Sequence, residues 1–412
     1  SKNWIVENIL TYNQDFGKHH VDFTGLYSAQ QKDYFAMAEN SAGFFNDVLG
    51  FYNLGAGNTV SAGTIFSPYT GSYRDVKNEL SQMGRINYSY DKRYLLTVTA
   101  RRDGASVFGA NTTKFGVFPS AAIAWNISNE NFMKNVVLVN NLKIRASYGK
   151  TGNEAIGINS TKTTDNAVRY PFAGTSAVGV LASNLGNGDL HWESTKGLNV
   201  GLDFSVLNSR ISGTIDAYNT QTEDLILKRN IPNVSGYGSI LDNLGKTKNR
   251  GIEITLNTIN VKTKDFRWES NINFSSYKNE IVELYGDGKD DLGNGWFIGH
   301  PVSVVYDYTL AGVWQEGEDP SGSDATAKPG YLKFANLNKD GKIDENDKSI
   351  LGSPIPKWTG GITNTFHYKN WHLNVFIQTV QGVLRNNVAL FYADEAYRLN
   401  LPADIGYWTA QN

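Results

Sequence analysis

Cysteine is absent from all 412 residues. That excludes a disulfide framework, an iron–sulfur cluster, a thiolate zinc site and a cysteine nucleophile. Net charge is nearly absent too. Lys and Arg number 38 against 40 Asp and Glu, giving a formal charge of -2. A general nucleic-acid binder needs a basic face, so no nucleic-acid partner is expected. Long apolar runs are missing. Val136-Val137-Leu138-Val139 is typical of the longest, far short of the roughly 18 apolar residues of a spanning helix. A membrane span built from strands survives this test, because alternating residues average out in any hydropathy window. Ser1–Gln14 shows no initiating Met, charged n-region or apolar signal stretch, so the chain reads as a mature product or a piece of a longer one.

What is present has a period of two. Leu142, Ile144 and Ala146 alternate with Lys143, Arg145 and Ser147. Leu198, Val200, Leu202 and Phe204 alternate with Asn199, Gly201, Asp203 and Ser205. Ile252, Ile254 and Leu256 oppose Glu253, Thr255 and Asn257; Phe266, Trp268, Ile272 and Phe274 oppose Arg267, Glu269, Asn271 and Asn273. Such segments are half-apolar strands. About thirteen are expected, with at most a turn of helix at Glu130–Val139.

Connections alternate in length. Tight ones fall at Asp15–Lys18, Asp91-Lys92, Asn208-Ser209, Lys264-Asp265 and Lys369-Asn370. Long polar or glycine-rich ones fall at Lys32–Gln82, Asp103–Lys114, Lys150–His191, Glu223–Gly245, Tyr277–Pro301 and Glu316–Lys357. Outer-membrane barrels sort loop length in this way, with tight periplasmic turns and long extracellular loops. A soluble sandwich has no reason to do so. Aromatics near strand ends (Tyr88, Tyr90, Tyr94, Trp125, Trp192, Tyr218, Trp268, Trp358, Tyr368 and Trp371) fit interfacial girdles. The alternation fails once. A strand at Tyr308–Gln315 would run the wrong way to enter Glu316–Lys357, so an extra strand is expected between Glu280 and Tyr306, around Trp296-Phe297-Ile298.

Catalytic motifs are lacking. Gly149-Lys150-Thr151 and Gly245-Lys246-Thr247 have Ile144 and Ile240 where a P-loop needs its first Gly. No G-x-S-x-G elbow or H-E-x-x-H pair occurs. The sharpest motif is Asn336–Asp347, which follows the oxygen-ligand spacing of a calcium loop. Its ligands would be Asn336, Asn338, Asp340, the Lys342 carbonyl, Asp344 and Asp347, with Gly341 at the tight turn. Position 1 is Asn in place of Asp, position 12 is Asp in place of Glu, and no flanking helices are expected. A metal-free Asx-rich turn is the alternative.

Several runs resemble SusC/RagA-type TonB-dependent transporters. They include Arg85–Leu96, Arg101–Ser106, Phe118-Pro119-Ser120, Trp125–Ser128, Asn141–Gly149, Gly201–Phe204, Leu337–Asp344 and Leu351–Lys357. The matches are spread along nearly the whole chain in family order. The resemblance implies an all-β, antiparallel transmembrane β-barrel in the outer membrane of Bacteroidota. Residues 1–412 would be part of that barrel, about 13–14 strands of it, with a long extracellular loop 316–357 carrying the calcium-type motif. It implies TonB-dependent import of an oligosaccharide, or sometimes a peptide, with a SusD-like surface lipoprotein. TonB–ExbB–ExbD would act through a plug and TonB box that this sequence lacks. The missing plug and closing strand point to a fragment. A structural Ca2+ is expected in the loop. Candidate cargo-binding aromatics are Phe51, Tyr52, Tyr69, Tyr73, Trp296 and Trp314. The competing readings are a passive porin or adhesion barrel and a soluble secreted carbohydrate-binding β-protein. No enzyme is expected.

Overall fold

The computed structural model describes residues 1–39, 70–109, 111–172, 175–232, 234, 236–320, 326–387 and 408–409. The alternating segments all form strands. In chain order these are β1 (Lys2–Phe16), β2 (His19–Glu39), β3 (Thr70–Tyr90), β4 (Tyr94–Ala105), β5 (Phe115–Asn126), β6 (Val139–Asn153), β7 (Thr164–Phe172), β8 (Thr175–Asn184) and β9 (Glu193–Val206). They continue as β10 (Ile211–Asn230), β11 (Ser239–Lys262), β12 (Phe266–Glu283), β13 (Val305–Tyr308), β14 (Leu310–Val313), β15 (Leu332–Phe334), β16 (Lys348–Gly352), β17 (Trp358–Tyr368) and β18 (Trp371–Gln381). Twelve make one antiparallel sheet, in the order β1-β2-β3-β4-β5-β6-β9-β10-β11-β12-β17-β18. The other six pair as β7–β8, β13–β16 and β14–β15. No helix is long and apolar enough to cross a membrane.

The chain divides into two compact units. The first holds Ser1–Trp125, Ser147–Lys196 and Thr222–Leu244; the second holds Asn126–Ala146, Gly197–Gln221 and Gly245–Asn412. In the first, β1 pairs with β2 from Lys2↔Asp33 to Phe16↔His19 without a slip. β2 pairs with β3 from His19↔Tyr90 to Glu39↔Thr70. In the second, β11 pairs with β12 through bulges at Lys246/Thr247 and Ile259/Val261. β12 pairs with β17, and β17 with β18, without a slip.

The accessible surface is 27672 Å². A folded soluble monomer of this mass exposes about 16,000 Å². Much of the described sheet is open: β1 is exposed along its whole length, and few apolar side chains are buried among the described residues. The only buried hydrophobic cluster among the described residues is Ala105, Val107 and Phe108, with Ile156, Ile158 and Trp192 packed against it. Ile86, Leu96, Val98, Ile123, Leu198, Val200, Leu373 and Ile377 are exposed along the strands. An apolar face this open in water would be a large exposed patch; facing hydrocarbon it is satisfied.

Every tight turn expected from sequence is present. Asp91, Lys92, Asn208, Ser209 and Lys369 all have positive φ, as the twist-matched hairpin turns require. The first four long connections are shorter than expected because the strands overrun them. β2 and β3 are each 21 residues long and β11 is 24, whereas about 9–11 residues cross a bilayer. In the overrunning ends the contrast between faces is lost, as at Tyr34, Phe35 and Met37 of β2, all exposed, so alternation no longer marks the strand.

The helical expectation at Glu130–Val139 resolves into two 3-10 turns, Ile127–Asn129 and Asn131–Met133. The extra strand expected between Glu280 and Tyr306 does not form. β12 runs to Glu283; before Val305 there is an isolated Asp291↔Trp296 bridge, and Ile281 exchanges backbone hydrogen bonds with Gly299 and His300. The order is restored in the opposite way. The segment expected as a spanning strand at Tyr308–Gln315 is divided between the small β13–β16 and β14–β15 sheets. β12 then pairs directly with β17. Residues 284–357 are therefore one long connection containing the loop 316–357, and the main sheet has twelve strands among the described residues, where 13–14 were expected.

Candidate functional site

Alternation gives the sheet one polar face, and this face carries its organised chemistry. In the second unit Arg145 of β6 donates through Nε to Asp203 of β9 at 3.1 Å and through Nη2 to Asp216 of β10 at 2.6 Å. Asn199 adds a hydrogen bond to the other Asp216 oxygen at 3.2 Å. The guanidinium lies across Gly201, where a Cβ would stand 2.4 Å from Arg145 Cζ. Only glycine admits that approach. On β11 and β12, Asn271 donates to Asn257 at 2.6 Å, and Arg267 pairs with Glu269.

In the first unit the polar face forms a cavity of about 360 Å³. Glu7, Ser28, Ser81 and Asp103 lie side by side through the successive registers of β1 to β4. Ser28 donates to Glu7 at 3.4 Å, and Arg101 clasps Asp103 at 2.8 Å. Glu79 receives Lys77 at 2.7 Å and Lys32 at 3.2 Å, and Lys77 also binds Glu154. The Glu154 Oε2 atom is buried without a partner. Burial first, and then its neighbour Glu79, push the Glu154 carboxyl above the usual carboxylate range, against the pull of Lys77. Trp192 lines the cavity and packs on Phe108 and Phe118 at centroid distances of 5.1 and 5.5 Å. Charged groups beside the Trp192 ring suit a ligand with hydroxyl or amine groups and an apolar side. The sequence reading missed this set. Its signal was Lys77, Glu79 and Ser81 on one strand face.

The expected aromatics do not gather at one place. Phe51, Tyr52 and Tyr69 lie outside the described residues. Tyr73 stands on β3 opposite Ala36. Trp296 is half-buried in its bridge with Asp291. Trp314 is buried, with Lys333 Nζ 4.5 Å over its ring. The girdle reading divides as well. Tyr94 stacks with Trp125, and Trp268 with Phe366, close to tight turns or strand ends. Trp371 is exposed beside its turn. Trp192 instead belongs to the cluster under the cavity, and Tyr218 sits in mid-strand against Gly251. Both G-K-T runs lie inside strands β6 and β11, with no loop to cradle a phosphate.

The Asn336–Asp347 loop is built from Asx turns. Asn338 Oδ1 accepts from the Asp340 N–H at 2.9 Å, Asp340 Oδ1 from Lys342 at 2.8 Å, and Asp344 Oδ1 from Asn346 at 2.9 Å. Gly341 has φ +86°. Asp347 is fully buried. Its carboxylate accepts from the N–H groups of Leu337 at 2.7 Å, Asn338 at 3.4 Å and Asp344 at 3.0 Å. Those backbone bonds, led by Asp344, hold it below the usual carboxylate range despite burial. Asn336 Oδ1 is buried with no partner. The donor set suits a hard cation in kind: Asn336 offers an orphaned oxygen, and the oxygens of Asn338, Asp340 and Asp344 each keep lone pairs. Asp347 is the departure, since its lone pairs are largely spent on closing the backbone. No group of three His, Cys, Asp or Glu side chains is close enough for a metal among the described residues.

Residues 1–411 match the family model described as TonB dependent receptor-like, beta-barrel. TonB-dependent receptor P3 of Formosa agariphila is 35% identical over 428 residues, covering 100% of this chain and 42% of that protein. TonB-dependent receptor SusC of Bacteroides thetaiotaomicron is 34% identical over 308 residues, covering 71% of this chain and 30% of SusC. The structure of the RagAB peptide transporter matches with TM-score 0.75 and 25% identity, over 92% of this chain and 41% of that one. The chain thus spans about two fifths of the length of the P3 receptor, 42%. The chain belongs to the TonB-dependent receptor β-barrel family, of SusC/RagA type, and its place is the outer membrane.

Proposed function

We propose that the full receptor containing this chain imports a nutrient, most readily an oligosaccharide, by a TonB-dependent cycle with a SusD-like surface lipoprotein. One observation carries this reading: a chain 34% identical to SusC over 308 residues also has a charged cavity on the polar face of its sheet. The reading is non-enzymatic, in keeping with a family of receptors and transporters. A peptide cargo is the second reading, favoured by the likeness to the RagAB peptide transporter. Cargo would meet the Glu79–Glu154 cavity and the long connections, while TonB, ExbB and ExbD would act through segments outside this chain. Calorimetry on the full receptor with its lipoprotein, against oligosaccharides and peptides in turn, distinguishes the two. Uptake that persists after deletion of tonB would overturn the transport reading.

We also propose a structural Ca2+ in the Asn336–Asp347 loop, held by Asn336, Asn338, Asp340, the Lys342 carbonyl and Asp344, with Asp347 closing the loop behind it. The orphaned Asn336 Oδ1 supports it. The ion would supply only rigidity there. Titration of the full receptor and its Asp340→Ala variant tests the assignment, and equal heats in both would remove it.

A further inference from the structure

The tight turns of the second unit are short: 207–210, 263–265 and 369–370. The connection from β5 to β6, on the same side by strand order, is different. After its two 3-10 turns it ends in Val136, Val137 and Leu138, with Val137 79% and Leu138 64% exposed. Phe132 is exposed as well. This segment is not a free tail. The Leu207 N–H donates to the Leu138 carbonyl at 2.8 Å, and the Ser209 N–H to Asn140 Oδ1 at 2.8 Å. The connection therefore lies against the β9–β10 turn and encloses a groove of about 510 Å³.

The groove combines two kinds of lining. Val137, Leu138, Leu207 and Ile211 are apolar. Ile211 and Thr258 carry the lining onto the face that Ile252, Ile254 and Leu256 occupy, so the groove is continuous with the lipid-facing surface. Arg210 stands at the rim, held by donation to the Ile259 and Asn260 carbonyls at 3.2 and 2.9 Å. Those bonds use two of the five guanidinium N–H donors, and the other three, on Nη1 and Nη2, remain for phosphate oxygens. Lys134 adds a second cation to the same connection. In an outer-membrane receptor the short-turn ends face the periplasm, so the groove meets the headgroup zone of the periplasmic leaflet.

We propose that this groove is a site for one glycerophospholipid of the periplasmic leaflet. Its phosphate rests on Arg210 and an acyl chain runs along Val137, Leu138 and Ile211. The connection 127–138 then acts as an interfacial anchor for the wall, as amphipathic segments do when they insert about 5–10 Å into the headgroup boundary.

The chain's lack of cysteine makes the test clean. In the full receptor, freed of any cysteine elsewhere, Leu138→Cys and Lys369→Cys are spin-labelled singly. Each is reconstituted in nanodiscs of phosphatidylethanolamine and phosphatidylglycerol, and collisions with oxygen and a nickel chelate are measured. The Leu138 label gains oxygen access and loses nickel access relative to Lys369, placing it in lipid. Native mass spectrometry shows a retained phospholipid on the parent protein and its loss in Val137→Asp and, separately, in Arg210→Gln; heat-modifiable migration confirms that each variant is folded. Three results overturn the proposal. One is a Leu138 label as open to nickel as Lys369. Another is a label shielded from both reagents, which would mean a protein partner. The third is undiminished phospholipid in both folded variants.

Discussion

Arg145 on β6 reaches past its neighbour β9 to Asp216 on β10, 2.6 Å away, while holding Asp203 of β9 at 3.1 Å. One cation thus ties three adjacent strands on the polar face. The three side chains keep about a quarter to a third of their surface in contact with water, which screens the bond.

Replacing Arg145 by Met leaves two carboxylates facing each other. A fully buried pair broken in this way loses about 3–5 kcal/mol; partial exposure here reduces the expectation to about 1–3 kcal/mol. Urea unfolding of the full receptor in lipid vesicles measures it. The double change Arg145→Met with Asp216→Asn should recover part of the loss.

Gly201→Val places a branched side chain where the guanidinium lies. Overpacking of this kind costs about 1–3 kcal/mol. In the Arg145→Met background the cost should shrink, because the clash is with the guanidinium. A double-mutant cycle reads the coupling directly.

Asp347 governs the loop after β15. Its carboxyl is depressed in the folded state, so its contribution is complete above the ordinary carboxylate range and fades as pH falls through the lowered value. At neutral pH, Asp347→Asn should speed hydrogen exchange at the Leu337, Asn338 and Asp344 amides and leave β17 and β18 protected. Unchanged exchange at those three amides would refute the role.

Glu154 has the opposite sign. Its carboxyl is raised, so the folded state gains from its protonation, and that gain is lost as pH rises through the raised value. Glu154→Gln should flatten this part of the stability–pH curve of the full receptor. Difference infrared spectra should lose a carboxyl band that titrates above the usual range.

Much of the wall was legible in the sequence because the bilayer imposes a strict period of two. The polar positions of Arg145 and Asp203 followed from it, and the turns at Asp91-Lys92 and Asn208-Ser209 from the short connections between alternating runs. The extent of β2, β3 and β11 did not, since outside lipid no contrast between faces is needed. Tyr308–Gln315 misled for a related reason: short loop sheets use the same β-rich residues as a wall strand. The Glu79–Glu154 cavity was hidden because it joins strands distant in sequence, and a register cannot be read from either strand alone.

The direct pairing of β12 with β17 shapes how this wall assembles. Phe266 must find Tyr368 across everything from 284 to 357. Each doubling of a flexible loop adds only about 0.6 kcal/mol to closure. The wall therefore tolerates a large excursion at small thermodynamic cost and bears the burden in assembly time. Residues 284–357 are accordingly a replaceable cassette. They can lengthen or shorten while the pairing of β12 with β17 beneath them is kept.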